Sequence, residues 1–459
     1  MAGIGFVLRR LTRQDNLVGM AQGYLYSALI TSGPFLVTVL AMGALNVVAD
    51  RLADRQAVET FRLVTIYNFS LSLLTTGPFL LVMTRYLADR IYEKHVEEAP
   101  GMLLGGLALT YLVQMPLVFL LYFHFTDMAP LERIAATLHF YLISSIWVVS
   151  IFLSALKDYR SIGIAFAAGM GIGFFGGALL IDRLGAAGML FGFGIGMGCI
   201  FFALSLRVML EYPFGINRPF AFLAYFRKYW ELVVFGLAYN MAIWIDKLVL
   251  WTAPDAVKGS VGLISNPTYD SAMFLAHVTT VPALAVFVVN IETVFFERYQ
   301  KFYRDIQHHA TFADIQRNQA NIIQVLGSAG RNILILQSIV ATLAILGSPA
   351  LLGWLRVDAT QIGIFRLGAL GSLFQILLIF LTIVLAYFDL RWRLMQVSLV
   401  YVALNGICSW ATMQAGFGWY GYGFFIASLG TFLFAFAICA YDLNRLPYLT
   451  FIRNNLSVR

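Results

Sequence analysis

Residues Trp230 to Pro254, WELVVFGLAYNMAIWIDKLVLWTAP, form a run long and apolar enough to cross a bilayer, yet Asp246 and Lys247 stand in its outer third. About twenty apolar residues at 1.5 Å each span the roughly 30 Å of hydrocarbon, so the run reads as a transmembrane helix. A charge inside such a helix costs about 2.5–3.5 kcal/mol on insertion scales, and residues that bear that cost face partners, water or a pathway. Counted along the chain, this is the seventh span, the first of a second set of six.

The same pattern fills the remainder of the 459 residues. The chain is 60% hydrophobic and 12% charged, with a mean hydropathy of +0.78, against about 45–50% and 25% in soluble domains. The excess lies in continuous runs, whereas a β-barrel would show ten-residue alternating segments. The sequence therefore describes an all-α polytopic membrane protein of about twelve transmembrane helices. The spans fall near 22–48, 63–84, 101–125, 135–156, 161–181 and 187–206, then 231–252, 271–292, 331–353, 362–387, 395–414 and 421–441.

With the N-terminus placed inside, the 31 Lys and Arg favour the inner segments by better than two to one, which puts both termini in the cytoplasm. The net charge of +7 is then a topology signal and calls for no nucleic acid. Cys199, Cys408 and Cys439 all lie within apolar runs with no pairable spacing and read as buried thiols. No cleavable signal peptide is expected, because the first apolar run is too long for one and lacks an A-x-A end. The Arg9-Arg10 pair reads as an inner-leaflet anchor before the first span. The implied organisation is a cytoplasmic segment 1–21, a first lobe 22–206, a linker 207–230, a second lobe 231–441 and a cytoplasmic tail 442–459.

Two cytoplasmic connections are long. Residues 207–230 mix aromatics with Arg218, Arg227 and Lys228, a composition that suits an interfacial helix. Residues 293–307, TVFFERYQKFYRDIQ, set Phe295, Phe296, Tyr299, Phe302 and Tyr303 against Glu297, Arg298, Lys301 and Arg304. They form either a surface helix extending the eighth span or a partner-docking site, with Arg298, Lys301 and Arg304 as the contacts. The outer loops are short, the longest near 253–270, and leave little room for an external catalytic domain.

Thr31-Ser32-Gly33-Pro34-Phe35-Leu36 in the first span recurs as Thr75-Thr76-Gly77-Pro78-Phe79-Leu80 in the second. Proline removes a helix hydrogen bond, and neighbouring hydroxyls can satisfy the freed carbonyl. Gly33, Pro34, Gly77 and Pro78 are thus either structural kinks or hinges in helices that line a cavity. Gly169, Gly173 and Gly177, and Gly188, Gly192 and Gly196, repeat every four residues and predict close packing of the fifth and sixth spans. No G-x-x-x-x-G-K-[ST] occurs, and the scattered histidines have no metal-ligand spacing, so neither a catalytic site, a metal site nor a cofactor is expected.

On the seventh span, Asn240, Trp244, Lys247 and Trp251 fall on one face, with Tyr239 and Asp246 on a neighbouring strip. Adjacent residues on a helix do not face each other, so Asp246 and Lys247 each call for a partner elsewhere. Lys247 could snorkel while Asp246 pairs with an arginine. Alternatively, Asp246, Lys247, Asn240 and Tyr239 serve transport or ion coupling, and Trp244 and Trp251 stack on sugar rings.

Met1-Ala-Gly-Ile-Gly-Phe6, Leu8-Arg-Arg-Leu11, Ser32-Gly-Pro-Phe35 and Trp244-Ile-Asp-Lys247 together resemble the PelG family, the inner-membrane transporters of the Pel exopolysaccharide system in Gram-negative bacteria. Val7 stands where the family's opening string would hold an acidic residue, so no essential charge is expected there. The resemblance runs from end to end and implies the multidrug/oligosaccharidyl-lipid/polysaccharide flippase superfamily, with two six-helix lobes around a central cavity. It implies export of Pel, a cationic amino-sugar polymer, across the bacterial inner membrane by alternating access or a synthesis-coupled conduit. The implied partners are a cytoplasmic Pel glycosyltransferase, other inner-membrane Pel components including a cyclic-di-GMP receptor, the polysaccharide itself and membrane lipids. A cation-coupled small-molecule antiporter of the same fold and a scaffold that recruits the glycosyltransferase are the competing readings.

Overall fold

The structure, a computed structural model, describes residues 17–52, 54–156, 159–355 and 357–453. The opening string 1–11 and the tail beyond 453 lie outside the described residues. The first helices are α1 (Leu17–Leu52), α2 (Arg55–Tyr92), α3 (Ala99–Phe119), α4 (Pro130–Leu156), α5 (Tyr159–Glu211), the short α6 (Leu223–Lys228) and α7 (Trp230–Leu250). After a two-stranded hairpin, β1 (Val257–Lys258) and β2 (Ile264–Ser265), come α8 (Pro267–Val278), α9 (Val281–Asn290), α10 (Phe296–Gln307) and α11 (Phe312–Trp354). Then follow α12 (Ile362–Tyr387), α13 (Arg391–Ala415), α14 (Tyr422–Asn444) and the single turn α15 (Leu446–Tyr448).

Eleven helices among the described residues are long and apolar enough to cross a membrane. One of them holds two crossings. Helix α5 has 53 residues, about 80 Å of helix, and Gly185 interrupts it at φ 55°, ψ −128°. A positive φ is costly for any residue with a Cβ, so glycine sets the turn. The two halves then pack as a hairpin: Gly196 lies on Gly169 and Gly173, Gly192 on Gly176 and Gly177, and Gly188 on Leu180. The glycine stripes expected to pair do pair, so the eleven helices provide twelve segments of membrane-crossing length among the described residues.

The chain divides into two compact units, Gly33–Pro267 and Thr268–Arg459 with Met1–Ser32. The division falls at 267/268, and α7 goes with the first unit because Gly236 lets it lie directly on α2. In that unit the core is built from α2 to α5, with Phe61 edge-on to Phe193 at 5.9 Å. Between the end of α5 at Glu211 and the start of α7 at Trp230, the 207–230 stretch contains one short helix, α6. Its irregular part is pinned where Asn217 and Pro219 carbonyls press on Gly101 and Gly105 of α3.

The second unit packs α12 against α11, α13 and α14. Close approach again depends on small residues: Gly368 meets Ala276 and Met273, and Gly423 meets the backbone of Ser409. Arg393 Nε donates to Asp442 Oδ2 at 2.8 Å and closes α13 onto α14. The stretch 293–330 is helical nearly throughout, as α10 and the first half of α11, so the expected loop is an extension of the bundle.

Candidate functional site

Helix α7 presents Ala238, Ala242, Asp246 and Leu250 at four-residue spacing as its buried stripe. Asp246 is 0% exposed. Its neighbour corrects the sequence reading: Lys247 bends back along the helix and donates to Asp246 Oδ2 at 3.1 Å and Oδ1 at 3.3 Å. Four methylenes give Lys247 the reach that the facing rule for short side chains leaves out. Its ammonium also lies 3.4 Å from the Ile243 carbonyl and 5.6 Å from the Trp244 ring centroid. The two charges thus form a buried pair edged by an aromatic face.

Asn240 donates to the Gly236 carbonyl of its own helix at 2.8 Å. That turn of α7 crosses α2 at Gly77, where a Cβ would stand 2.8 Å from Gly236 O and collide with Asn240. Gly77 and Asn240, chosen separately from the sequence, meet at one helix crossing. Tyr239 is half-buried with its ring 5.5 Å from Phe235. Trp244 is also half-buried, while Trp251 is 7% exposed and stacked on Tyr67 at 4.7 Å. The Tyr67 hydroxyl donates to Ile264 O at 2.7 Å and accepts from Ile264 N at 3.2 Å. Trp251 therefore takes part in fastening the 257–265 hairpin, and Trp244 is the tryptophan with a ring beside the charge pair.

The proline motifs do not break their helices. Both α1 and α2 continue through Pro34 and Pro78. Thr75 and Thr76 donate to Leu71 O and Ser72 O, each at 2.7 Å, one turn before the Leu74 carbonyl that Pro78 leaves without its usual donor. Gly33 has open space around it.

A polar seam in α2 escaped the sequence reading. Thr65, Asn68, Ser72 and Thr76 are all 0% exposed. Asn68 donates to Ala136 O at 3.1 Å and contacts His139 Nδ1 at 3.0 Å, while the Tyr122 hydroxyl donates to its Oδ1. Further along, Trp147 donates to Ser72 at 3.2 Å and Gln114 to Thr75 at 2.8 Å. The three- and four-residue spacing of polar residues inside an apolar span was the available signal. Asn68→Leu is expected to cost about 2–3 kcal/mol, because it leaves the Tyr122 hydroxyl and His139 buried without it. Thermal unfolding in detergent checks this, with Thr84→Val, at an exposed hydroxyl bonded only within its own helix, as the near-neutral control.

Helix α10 spends its apolar face within its own unit. Phe295 and Phe302 are 0% exposed, and Tyr299 lies 5.5 and 5.6 Å from Tyr387 and Phe388. Arg298, Lys301 and Arg304 lie on the other side, all exposed. None of the three makes an ion pair or side-chain hydrogen bond among the described residues.

The family described as "PelG: Putative exopolysaccharide Exporter (EPS-E)" matches residues 1–451. No curated protein sequence matches the chain. Among solved structures, the chain is similar to an outward-facing multidrug resistance MATE family transporter of the MOP superfamily, with TM-score 0.64, 14% identity and coverage of 92% of this chain and 96% of that one. The inward-facing form of a multidrug resistance MATE family transporter of that superfamily gives TM-score 0.59 at 13% identity, covering 96% and 99%. A MOP superfamily transporter from Pyrococcus furiosus gives TM-score 0.61 at 13% identity, covering 91% and 96%. With a family match over almost its whole length and a MATE-type arrangement of membrane helices, the chain belongs to the PelG family of exopolysaccharide exporters.

Proposed function

We propose that this chain exports a Pel-type cationic amino-sugar polymer across the bacterial inner membrane, with both termini in the cytoplasm. The match to an exopolysaccharide exporter family over residues 1–451 carries the reading. The geometry adds a site with suitable chemistry: a buried Asp246–Lys247 pair beside the half-buried Trp244 ring. Sugar rings present apolar faces that stack on tryptophan, and a proton or sodium ion would compete with Lys247 for the Asp246 carboxylate. Coupling is then an exchange of one cationic partner for another at a single aspartate, in an alternating-access cycle or a conduit filled as the polymer grows.

Export of labelled polymer by inverted vesicles holding this protein and its synthase tests the reading, with proton and sodium gradients dissipated in turn. The polymer should accumulate inside the vesicles; a vesicle that retains none of it would remove the export role. The similarity to multidrug MATE transporters supports a second reading, cation-coupled antiport of a small molecule. That activity should appear in vesicles without any glycosyltransferase.

The cytoplasmic glycosyltransferase and the other inner-membrane Pel components are the proposed partners, with Arg298, Lys301 and Arg304 as the contact stripe. Arg298→Glu/Lys301→Glu/Arg304→Glu should abolish co-purification of the glycosyltransferase. The apolar face that holds α10 in place stays intact, so the variant should melt like the wild type. Unchanged co-purification would clear α10 of the docking role.

A further inference from the structure

Helices α11 and α14 both pack on α12 and only slightly on each other. Between them runs a groove of about 360 Å³, floored by Leu377, Phe380 and Leu381 and walled by Leu334, Phe432 and Phe436. Its one charged lining residue is Arg331. Arg331 is exposed and makes no ion pair or hydrogen bond among the described residues.

Depth makes this arginine unusual. The neighbouring Gly330 lies against Phe380, seven residues before α12 ends at Tyr387, about 10 Å of helix. Beyond that end come Asp389, Arg391 and Arg393, the polar turn expected at the interface. Arg331 is therefore held well inside the level at which the surrounding helices become polar. A guanidinium at such depth is costly unless it meets an anion, and the protein supplies none among the described residues. One turn towards the interface, Gly327 leaves open space where a side chain would otherwise close the groove.

We infer that this groove binds an anionic phospholipid, its phosphate drawn down past Gly327 onto Arg331 and an acyl chain lying on Leu377, Phe432 and Phe436. The planar fork of the guanidinium matches phosphate oxygens in a bidentate fashion. From the level of Ile323 to that of Leu334 the groove runs about 16 Å, about half the hydrocarbon thickness of about 30 Å. That is the length of one leaflet, and the lining suits an acyl chain and not a sugar.

The test uses the full-length, delipidated protein in detergent, titrated with phosphatidylglycerol and separately with phosphatidylcholine while its melting is followed. Phosphatidylglycerol should bind about tenfold more tightly, because in phosphatidylcholine the headgroup's own ammonium already neutralises the phosphate that Arg331 would hold. Arg331→Gln should bring the two lipids to parity, and Gly327→Leu, which fills the mouth, should remove the stabilisation by both. Equal affinity for the two lipids in the wild type, or a preference that survives Arg331→Gln, would overturn the inference. So would stabilisation by inorganic phosphate alone, which would make the ligand a soluble anion.

Discussion

Asp246→Asn is expected to abolish export while the protein remains in the membrane. The substitution keeps the shape of the side chain and removes the charge that holds Lys247 at 3.1 Å. Its ammonium, with a side chain only 12% exposed, is then left with the Ile243 carbonyl at 3.4 Å and the Trp244 ring. Breaking a buried pair from one side costs about 3–5 kcal/mol, far more than the pair itself is worth. Loss of export by this variant alone would not separate an ion site from a structural clamp. The double variant Asp246→Asn/Lys247→Gln does. With both charges gone, the melting temperature should recover, because no uncompensated charge remains. Export should not recover, because the carboxylate that a proton or sodium ion would occupy is still missing. Recovery of export together with stability would reduce the pair to a structural element. Normal export by Asp246→Asn would remove the aspartate from the mechanism altogether.

Much of the fold was legible because membrane insertion imposes strong patterns. Apolar runs of about twenty residues marked the crossings, and glycines at four-residue spacing marked the hairpin of α5. The unread parts depended on reach and partnership. Asp246 and Lys247 point in different directions as helical positions, but a lysine stem is long enough to fold back, and no spacing rule includes that reach. Helix α7 drew attention because its charges are conspicuous. Helix α2 is what organises the first unit, with one side holding Asn68, Ser72 and Thr75 against α3 and α4 and another taking Gly236 of α7 and Trp251 just past its end. Uncharged polar residues in an apolar run stand out less than charges, although each needs a partner in lipid just as surely. The divided membership of the helices was unreadable for a different reason: which unit α7 joins is decided by two glycines, Gly77 and Gly236, that are far apart in sequence. The pair on Arg393 and Asp442 was similarly hidden, since it joins residues that the sequence assigned to a loop and to the tail.

Gly192→Ala should be strongly destabilising for the first unit, although it adds a single methyl. A Cβ at this position collides with the backbone N and Cα of Gly177 and the carbonyl carbon of Gly176, atoms that cannot rotate away as a side chain can. Relief requires the halves of α5 to part by an ångström or so, and parting there also loosens Gly196 from Gly169 and Phe193 from Gly173. Overpacking of this kind costs about 3 kcal/mol, and lipid offers no hydrophobic drive to push the helices back together. Gly171→Ala provides the contrast on the same helix. Nothing lies within 4 Å of its added methyl, so it should melt within about 0.5 kcal/mol of the wild type. Thermal unfolding of the two variants side by side separates packing from helix propensity, because propensity favours alanine equally at both sites. A Gly192→Ala protein as stable as Gly171→Ala would mean that the two crossings do not need their close approach. The seam matters for transport because it fixes α5 as one body about Gly185, so an export defect should accompany the loss of stability at Gly192 and not at Gly171.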